Sequence, residues 1–460
     1  MRYALLLHYP EMNAEELGPE ALAEGMREFD EYAKALDAAG VLRSAEVLQP
    51  SSVTTTVRGG DTLRNDGGTL IDTRGRNRIL SFDTGTGILR CEAGVLLSTI
   101  AEKVGFHHFF LPVTPGSGRV TLGGAVAADI IGRNHVARGA LGDHVRSLVL
   151  MRGSGEVLTC SRLGNPALFA ATLGGFGLTG LILSIELQLM KVPSPHLQRH
   201  LIRFDTLAEG LALIEQRIDG HDYVHAWIDA AGGRRAGRGI LIAADHADSS
   251  ASVDLPDLPR KRRYRVPAYQ PFNLLADIFV RAGGLGAALL ASRREKVSTV
   301  PWWQFFWPLD QLGNVEGLAG HHGICRWHCT LPAAATATGV ADLLHEARTQ
   351  RQRPVYSELT RLGTVGAEGR VPADGQGHRL SLLFVDRGSA TTQMFAQMAR
   401  LVTAAGGAIG VHDSRNQPPG QAEDAFFGNS ALEAGKDPDF SSDFWKNNAV
   451  AGTNAAKFGV

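Results

Sequence analysis

The chain has 460 residues, of which 44% are hydrophobic and 20% charged, and its 46 Lys and Arg face 47 Asp and Glu. That composition predicts a soluble globular protein of two or three domains. The near-zero balance excludes a global pull toward nucleic acid or anionic membrane. Four cysteines (Cys91, Cys160, Cys325, Cys329) are too few and too scattered for a disulfide framework. No stretch approaches the roughly 20 apolar residues that span a bilayer. The opening MRYALLLHYPEM is too short for a signal peptide. The expectation is a cytoplasmic protein with no transmembrane segment and no nucleic-acid partner.

In chain order, Tyr3–His8 reads as a strand and Pro19 opens a helix with apolar residues at Leu22, Met26, Phe29, Tyr32, Ala33 and Leu36. Val41–Leu48 and Val53–Val57 read as extended, so residues 1–58 form a β-α-β-β unit. From Gly59 the texture turns glycine-rich. Strands are expected at Thr69–Asp72, Ile79–Asp83 and Leu89–Glu92, with a helix at Leu97–Val104. Val145–Met151 and Glu156–Cys160 form a hairpin around Gly153–Gly155, followed by a helix from Ala167 and a strand at Leu181–Leu189. Pro193–Pro195 marks a boundary. Beyond it, strands (Gln198–Phe204, Ala226–Asp229, Gly239–Ala243, Ile324–Thr330, Leu380–Val385) alternate with helices (Thr206–Ile218, Ala335–Gln350, Thr391–Ala405) in an antiparallel α+β pattern.

Several local features have two readings. Cys325 and Cys329 flank His328, but no further ligands stand at a metal-binding spacing, so a strand with half-buried thiols is expected and no metal. The basic run Arg260–Arg265, between Pro259 and Pro267, is a surface loop or a contact for a phosphate-bearing substrate. The aromatic block Trp302, Trp303, Phe305, Phe306 and Trp307 is core packing before it is a substrate wall. Arg326 and His328 alternate on one strand and so share a face, where one of them is expected to meet substrate.

The segment that carries chemistry is Leu111–Arg146, LPVTPGSGRVTLGGAVAADIIGRNHVARGALGDHVR. A dinucleotide with a flat ring favours close backbone approach, which Pro115–Gly118 and Gly123–Gly124 allow, while Ala125, Ala127 and Ala128 keep the next helix slim. No G-x-G-x-x-G of the Rossmann type with its downstream acid is present. The ordered blocks P-G-x-x-x-V-T-x-G-G-A, D-I-x-G-x-N-H, G-x-H-V-R and F-A-A-T-x-G-G-x-G-L-T-G, with FFWPLD (Phe305–Asp310), HDSR (His412–Arg415) and DPDFSSDFW (Asp437–Trp445), resemble the vanillyl-alcohol-oxidase (PCMH-type) FAD family. Within that family the blocks resemble the branch that contains the decaprenylphosphoryl-β-D-ribose 2′-oxidases. The first sixty residues, with GVL, LQP and TTTVR, resemble part of a small YciI-related (DGPF-type) domain.

The resemblance implies a PCMH-type FAD-binding domain at 59–193 and an α+β substrate domain with an antiparallel sheet at 194–420. The tail, 421–460, would fold back on the FAD domain. FAD contacts fall on Gly60, Asp61, Gly116, Thr121, Leu122, Gly123, Gly124, Ile131, Gly132, Arg133, Asn134 and Ile182. Asp129, Asn134 and His135 would orient the loop, His135 being equally readable as a structural histidine. The activity implied is oxidation of a secondary hydroxyl on a sugar or polyol, free or lipid-linked, with a short-chain reductase partner. His412, Ser381 and Arg326 would line the substrate side.

The chain departs from the family's pattern at several of these places. The pyrophosphate loop is reduced to Arg58–Asp61 (RGGD). His412 stands where a lysine is usual, Trp307 for a tyrosine, Ile131 for a histidine and Arg133 for a lysine. Ser381, or Leu382 in a slipped register, replaces a cysteine, and Thr360 with Arg361 beside it replaces a further lysine. A changed substrate accounts for these substitutions; the alternative is a catalytically impaired protein kept as an interaction or regulatory module.

Overall fold

The structure is a computed structural model that describes residues 73–230, 237–248, 250, 264–265, 294–313, 324–363, 377–410 and 435–437. The chain divides into two units, one of residues 1–58 with 65–71 and the other of 59–64 with 72–460. All described residues belong to the second. The predicted β-α-β-β opening, the strand at Thr69–Asp72 and His412 lie outside the described residues, as do Gly60 and Asp61.

The first sheet is built from β1 (Ile79–Asp83), β2 (Ile88–Glu92), β3 (Val145–Met151), β4 (Val157–Ser161) and β5 (Leu181–Gln188). They run in the order β1-β2-β5-β3-β4, with every pairing antiparallel. Helix α1 (Leu97–Gly105) buries Leu97, Ile100, Ala101 and Val104, the three-and-four spacing of one helical face. Helices α2 (Leu122–Ala127) and α3 (Pro166–Thr172) complete this half. Pro166 suits the first turn of α3, where an amide donor would have no helical acceptor.

The second sheet follows the prolines at 193 and 195. Its strands are β6 (Leu197–Phe204), β7 (Tyr223–Ile228), β8 (Gly239–His246), β9 (Glu295–Val300), β10 (Ile324–Pro332), β11 (Tyr356–Arg361), β12 (Gly377–Val385) and β13 (Ala408–Ile409). The order β9-β6-β8-β7-β11-β12-β10-β13 is antiparallel throughout. Helices α4 (Leu207–Arg217), α6 (Thr336–Thr349) and α7 (Ser389–Ala404) cover one face. Between β9 and β10 in sequence lies the short aromatic helix α5 (Trp302–Phe306). Thr206 caps α4 by accepting the Glu209 amide, and Glu209 in return accepts the Asp205 amide. Gly406, at φ +71°, ends α7 in the left-handed conformation that glycine adopts without strain.

Strand alternation sorts the second sheet's residues cleanly. Val224, Ala226, Ile228, Cys325, Trp327, Cys329, Leu359, Leu380, Leu382 and Phe384 enter the core beneath the helices. Their neighbours Tyr223, His225, Trp227, Arg326, His328, Glu358, Thr360, Arg379 and Ser381 take the opposite, inner face. The cysteines are therefore buried rather than half-buried, because both point to the helix side. The aromatic block is core, as its composition predicts: Trp302, Phe305, Phe306 and Trp307 are all buried in the same cluster as the first sheet and Tyr223.

Candidate active site

The glycine-rich segment runs between the two sheets and is fixed at both ends. Trp307 donates its indole N–H to the Pro115 carbonyl at 2.8 Å. Asp310 accepts from the Gly118 amide at 2.8 Å and from the Ser117 hydroxyl at 2.9 Å, and its own carbonyl accepts from Arg119. Gly118 must be glycine here, since a Cβ would stand 2.5 Å from the Trp307 ring. Further along, Asp129 accepts the Gly142 amide at 2.7 Å, and Asn134 donates to the Pro112 carbonyl at 2.8 Å. His135 Nδ1 accepts the Gly363 amide at 3.0 Å, which ties the loop to the end of β11. Burial, with the Arg379 charge, lowers the His135 pKa to about 4 and keeps the ring neutral, so both readings of this histidine meet in one contact.

The residues expected to hold FAD differ in what they offer. The Leu122 and Gly123 amides already donate to Val95 and Ala93, and the Gly124 amide faces the Thr121 hydroxyl. The Leu122 side chain is fully buried and that of Ile182 is core, so these two present backbone only. What remains is shape and a few acceptors. Gly116 has open space where a Cβ would be, and Gly124 is exposed. Thr114 Oγ1 and Asn134 Oδ1 are buried without a hydrogen-bond partner. Open glycine backbone beside unsatisfied oxygens fits a flat, hydrogen-bonding group laid along this loop.

The Arg133 side chain is engaged with the second sheet. Its guanidinium reaches Glu358 Oε2 through Nε (3.2 Å) and Nη2 (2.9 Å), the Phe305 carbonyl through Nη1 (3.1 Å) and the Tyr356 hydroxyl. The same group lies over the Phe305 ring at 5.9 Å. Most of its donors are thus committed to the second sheet and α5, two of them converging on one carboxylate oxygen. Burial pushes the Glu358 carboxyl up, but the charge of Arg133, the neighbouring His225 and the Tyr356 hydroxyl outweigh it and bring the pKa to about 2. His225 sits with Nε2 4.0 Å from Glu358, and burial together with Arg133 takes its pKa down to about 3.

Of the substrate-side residues expected from sequence, Ser381 and Arg326 share this inner face. Ser381 pairs in register with Glu358 on one side and His328 on the other, whereas Arg326 lies opposite Leu383. Ser381 lies on the inner face of the sheet, and Leu382 enters the core beneath the helices. Glu358, Tyr356 and His225 were missed. A carboxylate among alternating residues of a strand is the one local signal that could have marked them.

Burial also gives a stability prediction. His135, His225, His246 and His378 all have pKa values lowered to about 3–4 by burial. In the unfolded chain they bind protons near pH 6.5, so from there downward the unfolded state takes up more protons and stability falls. Each buried histidine contributes about 1.4 kcal/mol per pH unit across that window. Glu358 adds to the loss only below the ordinary carboxylate range, toward its own value of about 2. Thermal melts should show a midpoint that falls steadily from pH 7 to pH 5; a flat profile there would contradict the buried, neutral assignment.

Comparison with known proteins follows the same line. An FAD binding domain family matches residues 31–161. Decaprenylphosphoryl-β-D-ribose oxidase of Mycolicibacterium smegmatis is 32% identical over 285 residues, 60% of this chain and 62% of that protein. An uncharacterized protein in the mprA 5′ region of Streptomyces coelicolor is 32% identical over 343 residues, 70% of this chain and 90% of its own length. The chain belongs to the FAD-linked oxidoreductases. FAD is the cofactor of this family's domain, and the loop described above lies within the matched residues. D-lactate dehydrogenase of Anaerostipes hadrus is a more distant relative, 27% identical over 37% of this chain and 36% of its own. The family match begins at residue 31, so part of the opening expected to be YciI-like aligns with the FAD-binding domain instead. Among the described residues no helix is long and apolar enough to cross a membrane.

Proposed function

We propose that this protein oxidises a secondary hydroxyl of a sugar or polyol, held between the Pro115–Asn134 loop and the inner face of the second sheet. The observation that carries the reading is the direct seating of that loop on the sheet, through Arg133 on Glu358 and His135 on Gly363. Gly116, Thr121, Gly124, Ile131, Gly132 and Asn134 would line the cofactor's side, with Thr114 Oγ1 and Asn134 Oδ1 as acceptors. FAD, when bound, supplies the acceptor for the hydride that leaves the carbinol carbon. The protein's part is to hold that carbon in place, exclude water and receive the hydroxyl proton.

Ser381 and Arg326 are placed on the substrate side, and His412 is proposed as the group that receives the proton. The FAD-binding part is taken as 59–193 and the substrate part as 194–420. The tail's return to the FAD part is supported by Asp437, whose carboxylate pairs with Arg152 at 2.9 Å and accepts the Gly153 amide at 2.9 Å. A lipid-linked substrate is in keeping with the relative named for decaprenylphosphoryl-β-D-ribose, and a short-chain reductase partner is proposed from the family resemblance alone. The direct test is the purified protein's colour and its FAD titration, followed by anaerobic addition of sugars and sugar alcohols. Stoichiometric flavin absorbance that bleaches on adding substrate is the expected result. Colourless protein that takes up no FAD defeats the reading.

A further inference from the structure

Glu358 is a charged residue on the inner face of the sheet, with its side chain 14% exposed. Among the described residues, all its hydrogen bonds and ion pairs fall on one oxygen. Oε2 receives both contacts from Arg133, the Tyr356 hydroxyl and the approach of His225. Oε1 has none. Across the sheet Glu358 pairs in register with Ser381 and Trp227, and Thr360 follows two residues on along the same face of its own strand. Arg133 holds the carboxylate beside the cofactor loop from the other side.

We propose that Glu358 Oε1 accepts a hydroxyl of the substrate next to the carbon being oxidised, and that it makes the site selective for neutral polyols over hydroxy acids. The assignment rests on the proposed oxidation of a hydroxyl at this site. A carboxylate this acidic is a poor base at neutral pH, so it recognises a donor and does not remove its proton. The same fixed negative charge repels a substrate carboxylate brought to that oxygen. Arg326 and Arg379 share the inner face, so preference for an anion is the competing result that the experiment must be able to return.

The test uses the FAD-loaded full chain and equilibrium titration by calorimetry with two probes, methyl β-D-ribofuranoside and D-lactate. The wild type should bind the riboside at least about tenfold more tightly than D-lactate, the size of one hydrogen bond to a charged group. Glu358 remains ionised between pH 5 and pH 8, so whatever pH dependence riboside affinity shows there should be the same in Glu358→Gln. Glu358→Gln should lose about tenfold for the riboside and narrow the preference. Wild-type protein that prefers D-lactate or binds neither probe overturns the assignment. So does a folded Glu358→Gln protein with an unchanged preference. The wild-type comparison decides the matter if the variant does not fold. Protein that takes up no FAD defeats the proposed function instead, so the two failures are told apart.

Discussion

Replacing Arg133 by alanine is expected to destabilise the protein by about 3–5 kcal/mol, the usual cost of removing one partner of a buried ion pair. The reason lies in what is left behind. Glu358 would keep its charge in a site where burial alone favours the neutral acid, with only Tyr356 and a neutral His225 beside it. The Phe305 carbonyl would lose its donor as well. Glu358 should then titrate upward from about 2, so its share of the acid loss of stability, which begins in the ordinary carboxylate range, should shrink in the variant. Pairing Arg133→Met with Glu358→Leu removes both charges and should recover much of the loss, since replacing a buried ion pair by apolar groups is often close to neutral. Urea unfolding of the two single variants and the pair measures this. Strict additivity of the single effects would show that the two side chains do not act together.

Trp307→Ala should have an effect of similar size, about 3–5 kcal/mol, together with weaker FAD binding. The indole is almost fully buried, packs directly over Gly118 and holds the Pro115 carbonyl. Its removal opens a cavity and frees the loop at the point where Gly116 presents its open backbone. Trp307→Phe keeps most of the wall but leaves the Pro115 carbonyl without its donor, at about 1–3 kcal/mol. FAD titration by fluorescence quenching should therefore rank wild type above Trp307→Phe and Trp307→Ala last. Equal FAD affinity in all three would show that the loop keeps its shape without the indole.

Much of the architecture was legible before folding. Strands at Ile79–Asp83 and Val145–Met151 and the helices at Thr206–Ile218 and Ala335–Gln350 match the structure to within a residue or two, because hydrophobic period and turn residues act locally. Glu295–Val300 escaped notice. EKVSTV alternates weakly and is mostly exposed, as an edge strand can be. Tyr356–Arg361 (YSELTR) carries too little apolar alternation to declare itself, and only the resemblance drew attention to it, through Thr360 and Arg361.

The ordered glycine and aspartate motifs were enough, through their resemblance to a known family, to assign an FAD-binding domain, since the blocks that carry the resemblance are short contiguous segments. They could not determine what Arg133 does. Its partner is 225 residues away in sequence, and the pairing exists only because β11 lies at the centre of a sheet onto which the loop folds. A charge's partner, its burial and therefore its pKa are set by everything packed around it, and that is decided by tertiary structure alone.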